Sequence, residues 1–303
     1  MKTYGALVLS MIFWAFSFIW FKEANENFNP LTIVFIRLVF SVIMITTYLI
    51  TTRKFVRVRK EDRKLFLMLA LFEPFIYFLG ESFGLTYVSA TVCSVIISTI
   101  PVVATIATWI FFRERLHRIN YAGIILSFLG VLVFIFNIDG SLALNIKGLA
   151  LLCLAVVSAV GYNLTLSKLV GSYSPVHIVN TQNIIGSLLF LPLFLILDFQ
   201  GFMTTRFTFD MFRPIIELSI FASCAAFILF AYAVSKIGIT KANVFSNCIP
   251  VFTAFFSFIL LGDKLTFQNI SGMIIVVSGL FLSQMNASKK AVNEAVALSG
   301  HMA

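Results

Sequence analysis

The sequence predicts an all-α integral membrane protein with ten transmembrane helices, arranged as two inverted five-helix repeats around a central cavity. Three observations carry that prediction: an apolar excess that water cannot accommodate, ten runs long enough to cross a bilayer, and a second half that repeats the first. Of the 303 residues, 60% are hydrophobic, 12% are charged and 35 are phenylalanine. Soluble domains hold about 45–50% apolar and about 25% charged residues, so lipid must be the solvent for most of this surface.

A hydrocarbon core about 30 Å thick takes about 20 apolar residues of helix. Ten runs meet or approach that length: Tyr4–Phe21, Leu31–Thr51, Leu65–Leu85, Ala90–Phe112, Ile119–Phe136, Ile146–Ser167, Val176–Leu197, Pro214–Ser235, Ile239–Leu261 and Leu265–Met285. The connections are short and hold no soluble domain. The first run ends in Phe21-Lys22-Glu23 without a small-residue cleavage site, and a retained helix is expected there. Residues 286–303 are small and polar, as in a mobile C-terminal tail.

Lysine and arginine in short loops set orientation. With a cytoplasmic N-terminus, 16 basic residues face the cytoplasm, five (Lys22, Lys147, Arg206, Arg213, Lys264) face outward, and Arg37 lies within a helix. Both termini are therefore expected in the cytoplasm, in a multi-pass protein of the cytoplasmic (inner) membrane. The net charge of +9 sits in loops rather than along one face, which argues against a nucleic-acid partner. The expected partners are the bilayer and a small-molecule substrate, and the chain is expected to be a monomer. Cys93, Cys153, Cys224 and Cys248 all lie in apolar runs at spacings that suit neither zinc nor a disulfide frame. No metal and no cofactor are expected.

Sliding the chain by 149 residues aligns Gly84–Gly130 with the second half without a gap. Pro101 falls on Pro250, Leu116 on Leu265, Asn120 on Asn269, Gly123 on Gly272, Gly130 on Gly279, and Glu114-Arg115 on Asp263-Lys264. A slightly different offset puts Asn29-Pro30 on Ser174-Pro175. The two units are residues 1–137 and 146–285. Five helices per unit is an odd number, so the second copy enters the membrane from the opposite side. Inverted repeats of this kind are common in secondary transporters, where similar halves rock about a site between them.

The ordered motifs resemble the EamA family of the drug/metabolite transporter superfamily. The first run reads Phe13-Trp14-Ala15-Phe16-Ser17-Phe18 and ends near Lys22, similar to the family's Trp-Gly-x-x-Phe-x-x-x-Lys opening with Ala15 in place of glycine. Asn29-Pro30-Leu31 with Arg37 follows, then Gly84-Leu85, Ala90, Pro101, Phe111-Phe112-Arg113-Glu114-Arg115-Leu116, Gly123 and Gly130. Pro250, Gly262-Asp263-Lys264-Leu265, Gly272 and Gly279 answer them in the second half. The resemblance implies ten helices, a central substrate cavity, and export of amino acids or other metabolites without ATP hydrolysis; no Walker-type loop occurs in the chain.

Residue types narrow the site. Ser94, Ser98 and Pro101 stand at i, i+4 and i+7, on one helical face, and Asn243, Asn247 and Pro250 repeat that spacing. Both stripes are expected to line the cavity ahead of helix-bending prolines, although small polar residues in membranes also bond neighbouring helices. Glu73, Tyr77 and Glu81 share a face of the third run. Glu73, about eight residues or roughly 12 Å deep at 1.5 Å per residue, is the first choice for a substrate or proton contact. A mid-membrane acid costs about 2.5–3.5 kcal/mol to insert and should face protein or water. Arg37 and Glu81 lie at similar depth, which permits an ion pair acting as structural lock or outer gate. Trp14 lies mid-helix, and Tyr162 with Ser158 and Asn163 is the best polar group of the sixth run. Gln182 and Asn183 are expected to pack between helices, His177 to be interfacial and Glu217 to snorkel to the surface.

The substrate-binding set is thus Trp14, Glu73, Tyr77, Ser94, Ser98, Tyr162, Asn163, Asn243 and Asn247, with Arg37, Glu81, Pro101 and Pro250 as gating or structural residues. The function expected is secondary transport of small organic metabolites, amino acids or related zwitterions, outward across the membrane by alternating access. An exporter of cationic amines or drugs is the alternative, since two intramembrane acids oppose one arginine. A membrane enzyme would need paired carboxylates at metal spacing or a nucleophile with its base, and neither is found; no catalytic residue is assigned.

Overall fold

A computed structural model of the chain describes residues 2–112, 118–135, 145–205, 208–262 and 266–284. The Glu114-Arg115 and Asp263-Lys264 pairs, Leu116, Leu265 and the tail lie outside these residues. Among the described residues the regular structure is helical throughout. The helices are α1 (Lys2–Asn25), α2 (Pro30–Thr51), α3 (Arg63–Tyr87), α4 (Ala90–Ile97), α5 (Ile100–Phe112), α6 (Arg118–Ile135), α7 (Ile146–Leu169), α8 (Pro175–Thr204), α9 (Phe209–Ile237), α10 (Lys241–Leu260) and α11 (Phe267–Gln284).

Local chemistry sets their ends. Pro30 and Pro175 open α2 and α8 at the first turn, where a missing N–H costs nothing. Ser174 accepts from the His177 N–H and Ser89 from the Val92 N–H, each capping the helix that follows it. Gly238, at φ +80°, separates α9 from α10, a backbone setting that glycine adopts without a Cβ clash.

Seven helices among the described residues are long and apolar enough to cross a membrane: α1, α2, α3, α7, α8, α9 and α10. Among the described residues the fourth, fifth and tenth runs give shorter apolar helices, Ala90–Ala104, Arg118–Val133 and Phe267–Ser283. The fourth run carries a break at Ser98-Thr99, one turn ahead of Pro101. Many large apolar side chains face outward, Ile125, Val157, Leu188 and Ile196 among them, as lipid contact requires.

Small residues let the helices meet closely. A Cβ on Gly123 would strike the backbone of Gly279 and Ser283, and one on Gly130 would strike Val276 and Gly272, so α6 and α11 touch backbone to backbone. Hydrogen bonds close both ends of that pair: Asn120 Nδ2 donates to Ser283 O at 2.7 Å and Gln268 Nε2 to Val133 O at 2.6 Å. Helix α3 packs on α7, α2 on α8, and α1 on α9 and α10.

The α2–α8 pair is held at both ends. At one, Asp198 takes hydrogen bonds from Asn29 Nδ2 (3.2 Å) and from the Thr32 N–H and hydroxyl (3.1 and 3.0 Å), capping α2 from outside its own chain segment. At the other, where the loops leading into α3 and α8 meet, the Tyr173 hydroxyl donates to Asp62 at 2.6 Å and accepts from the Arg59 N–H at 3.1 Å. Burial and the bond to Asp62 push that hydroxyl above its ordinary range, so it remains a neutral donor. His177, expected at the interface, is instead buried among Tyr173, Phe66 and Phe55.

Two helices are underwound at matching places. Residues 71–76 of α3 and 218–226 of α9 form wide turns in which hydrogen bonds span five residues, and a shift of 149 carries the first onto the second. In α3 the turn also breaks: Glu73 has extended angles (φ −146°, ψ 120°), followed by a cis bond to Pro74. Proline lacks an N–H and disfavours helical angles in the residue before it. The third run is therefore not the continuous helix that its spacing predicted.

Candidate functional site

A cavity lies among α1, α2, α3, α4, α5, α7, α9 and α10. Its empty volume, mouth included, is about 680 Å³, which limits any occupant to a small molecule. Its first wall is ionisable: Arg37 from α2 with Glu73, Tyr77 and Glu81 from α3. A second wall is aromatic, the rings of Trp14, Tyr162, Phe227 and Phe230, and α10 adds Asn243 and Ser246.

The break in α3 places Glu73. Ser158 of α7 pins it by donating to Phe72 O at 2.6 Å, and Pro74 presses against Gly186 of α8, where a Cβ would collide with its ring. The Glu73 side chain is 94% buried (relative exposure 6%) and lines the cavity. Among the described residues its carboxyl makes no hydrogen bond and no ion pair.

The other ionisable groups on that wall have partners. Arg37 Nε donates to Ser223 Oγ at 2.8 Å, and its guanidinium lies 4.2 Å from the centre of the Phe78 ring. Behind it Asn183 Nδ2 donates to Ser41 Oγ at 2.7 Å and to Ser223 O at 3.2 Å, while Cys224 Sγ donates to Ser41 Oγ at 3.0 Å. These bonds tie α2, α8 and α9 together. Tyr77 donates its hydroxyl to Glu81 at 2.7 Å. The expected Arg37–Glu81 ion pair is not formed: the described ion pairs within 4.0 Å are Arg213 with Glu23 and with Glu217. Similar depth put the two residues level, but each turns to a nearer partner.

Among the aromatic lining side chains, Trp14 meets Phe227 edge-on at 5.2 Å and Phe230 at 5.1 Å, and Tyr162 lies edge-on to Phe227 at 6.1 Å. Phe227 thus joins the rings into one aromatic group.

Of the substrate-binding residues expected from sequence, Trp14, Glu73, Tyr77, Tyr162, Asn163 and Asn243 come together here. Ser94, Ser98 and Asn247 do not. Ser94 and Ser98 are buried and donate to Thr91 O and Val95 O of their own helix, both at 2.7 Å. Asn247 is buried away from the cavity, with neither side-chain atom hydrogen bonded among the described residues. Pro101 and Pro250 lie outside the lining, which takes Ile97, Ile100 and Ile249 from their neighbourhood. Sequence reasoning missed Ser17, Phe18, Phe78, Phe227 and Phe230. Pro74 was the available signal for the break that turns Glu73 inward, whereas nothing marked these phenylalanines among 35. No group of three or more metal-ligating side chains occurs among the described residues.

Comparison with known proteins agrees with this architecture. The model of the EamA-like transporter family matches twice, at residues 1–136 and 146–285. An uncharacterized transporter of Archaeoglobus fulgidus is 27% identical over 93% of this chain and 98% of its own length. The uncharacterized transporter YcxC of Bacillus subtilis is 24% identical, covering 95% and 94%. A solved crystal structure with 11% sequence identity superposes with a TM-score of 0.69 over 93% of this chain and 97% of that one, a likeness of fold.

Proposed function

The chain belongs to the EamA-like transporter family, and we propose that it moves small organic metabolites bearing an ammonium group, amino acids or related zwitterions, outward across the cytoplasmic membrane by alternating access. The observation that carries this reading is the cavity itself, in which a buried carboxyl without a protein partner shares the lining with a wall of aromatic rings. Buried charge in a membrane is kept where a solute or ion must be met. A zwitterion can place its ammonium toward Glu73 and its carboxylate toward Arg37.

Ten spans in two inverted halves supply the movement in this reading. Its support lies in the pairing of glycines: Gly123 meets Gly279 and Gly130 meets Gly272, while the internal match carries Gly123 onto Gly272 and Gly130 onto Gly279. Contacts that exchange in this way are what a two-fold relation between halves produces. The exchange of α1–α9 for α3–α7 packing follows the same rule. The distribution of basic residues supports a cytoplasmic side for both termini in this reading.

Flux in proteoliposomes tests the proposal. Protein-containing vesicles should move at least one member of a panel of amino acids and amines faster than empty ones. Ala159→Phe, which fills the cavity from α7, should abolish the difference while the protein still elutes as a single species. A panel that moves no faster than through bare lipid would sink the reading. A cationic amine is the second reading, favoured by two acids against one arginine on the ionisable wall.

A further inference from the structure

We propose that Glu73 is a shared site for a proton and for the ammonium group of an aromatic solute, so that each molecule bound displaces one proton. This rests on the cavity being the transport site. Among the four ionisable side chains of the first wall, three have protein partners: Arg37 holds Ser223 and Phe78, and Tyr77 and Glu81 hold each other. Glu73 alone faces the cavity with no hydrogen bond or ion pair among the described residues.

A lone carboxylate surrounded by protein and lipid is costly unless a cation covers it or a proton neutralises it. One requirement then governs both loaded and empty states of a carrier that reorients in the bilayer. With solute bound, the ammonium balances Glu73. Without solute, a proton must take its place before the cavity turns. The two ligands occupy the same oxygen atoms and exclude one another, and the proton leaves to the water on the side where the solute enters.

The aromatic wall selects the rest of the molecule. The rings of Trp14, Phe227, Phe230 and Tyr162 offer apolar surface to an aromatic side chain and π faces to a cation. The charged and titratable groups around Glu73 are Arg37 on α2, Tyr77 and Glu81 on its own helix, and Tyr162 on α7. The cavity faces of α1, α9 and α10 bring rings, amides and hydroxyls, and α8 brings Gln182 and Asn183 behind the wall.

Calorimetric titration of the full chain in detergent, repeated in buffers of different ionisation enthalpy, reads affinity and proton count together. The probes are phenethylamine, an aromatic ammonium without a carboxylate, and phenylalanine, which adds the carboxylate. Release of one proton per molecule is expected where Glu73 is protonated in the free protein. Over that range the Kd should tighten by about tenfold per pH unit as pH rises. Glu73→Gln should bind more weakly, release no proton and lose the pH dependence, and Glu81→Gln should keep the release. Tighter binding of phenylalanine than of phenethylamine would place the carboxylate on Arg37, and the reverse would assign the site to amines.

Binding without proton release between about pH 5 and about pH 9, or release that survives in Glu73→Gln, overturns the exchange while leaving the cavity as a binding site. Failure of both probes to bind overturns the aromatic ammonium class. In either case the flux panel with Ala159→Phe decides the transport reading separately.

Discussion

Helices α3 and α9, which both lend side chains to the cavity, stand at equivalent places in the sequence match and carry different chemistry. Shifted by 149 residues, Glu73, Tyr77 and Glu81 of α3 fall on Ala222, Ala226 and Phe230 of α9. Both segments contain the same wide turn, at 71–76 and 218–226. Only in α3 does the turn itself hold a proline and break, and Glu73 and Glu81 have no acidic counterpart at the matched positions of α9. At the earlier offset of 145, Arg37 falls on Gln182, so the guanidinium is one-sided as well. The halves therefore share what packs helices together, and differ in what lines the cavity.

The sharpest way to break that comparison is to exchange the acids. Ala222 is fully buried and outside the cavity lining, so Ala222→Glu forces a carboxyl into packed protein away from the cavity. A loss of about 2.5–3.5 kcal/mol is expected from the cost of an acid at mid-membrane, read as a lower Tm and a smaller monodisperse peak in detergent. Glu73→Ala should leave Tm unchanged or raise it, because it removes an unpaired buried acid. Equal tolerance at both positions would mean the walls are interchangeable and the asymmetry carries nothing.

That contrast also marks what could be read in advance. The apolar runs and the proline-led starts of α2 and α8 were legible, because each follows from local chemistry; the repeat marked Gly123, Gly130, Gly272 and Gly279 but not that they meet. Helical spacing put Ser94, Ser98 and Asn247 on single faces, but spacing cannot say which neighbour covers a face; they proved buried away from the cavity. Depth put Arg37 level with Glu81, yet depth carries no direction around the helix, and Ser223 and Tyr77 were nearer partners. Glu73 was selected for its depth, whereas its exposure to the cavity comes from the break at Pro74.

The hydrogen bonds behind Arg37 test whether the ionisable wall is held as a unit. Asn183→Leu removes donors to Ser41 Oγ, which keeps its bond from Cys224, and to Ser223 O, a loss of about 1–3 kcal/mol. Thermal unfolding should shift down accordingly, and flux should fall further than stability alone predicts, because Ser223 also positions Arg37. Flux that follows only the amount of folded protein would reduce this network to scaffolding.

On the aromatic wall a smaller effect is expected. Phe227→Leu keeps apolar volume but removes the edge contacts with Trp14 and Tyr162, worth about 0.5–1.5 kcal/mol. Folding should survive with a slight fall in Tm. Competition assays should show preference moving from aromatic toward aliphatic solutes, and an unchanged preference would assign selection to the ionisable wall alone.

The smallest change belongs away from both walls. Arg213 pairs with Glu23 at 3.3 Å and Glu217 at 3.9 Å, and its side chain is 54% exposed. Exposed pairs contribute about 0–1 kcal/mol, so Arg213→Ala should shift Tm little, and less at high salt because ions screen such contacts. Its value is as a measure of position. The pair joins α1 to α9 as the cavity rings do, yet lies outside the lining. Unchanged substrate preference in Arg213→Ala beside altered preference in Phe227→Leu would locate selectivity in the wall itself. Should Arg213→Ala change preference equally, coupling between α1 and α9 would set selectivity, and the contrast of acid against ring would be only part of the mechanism.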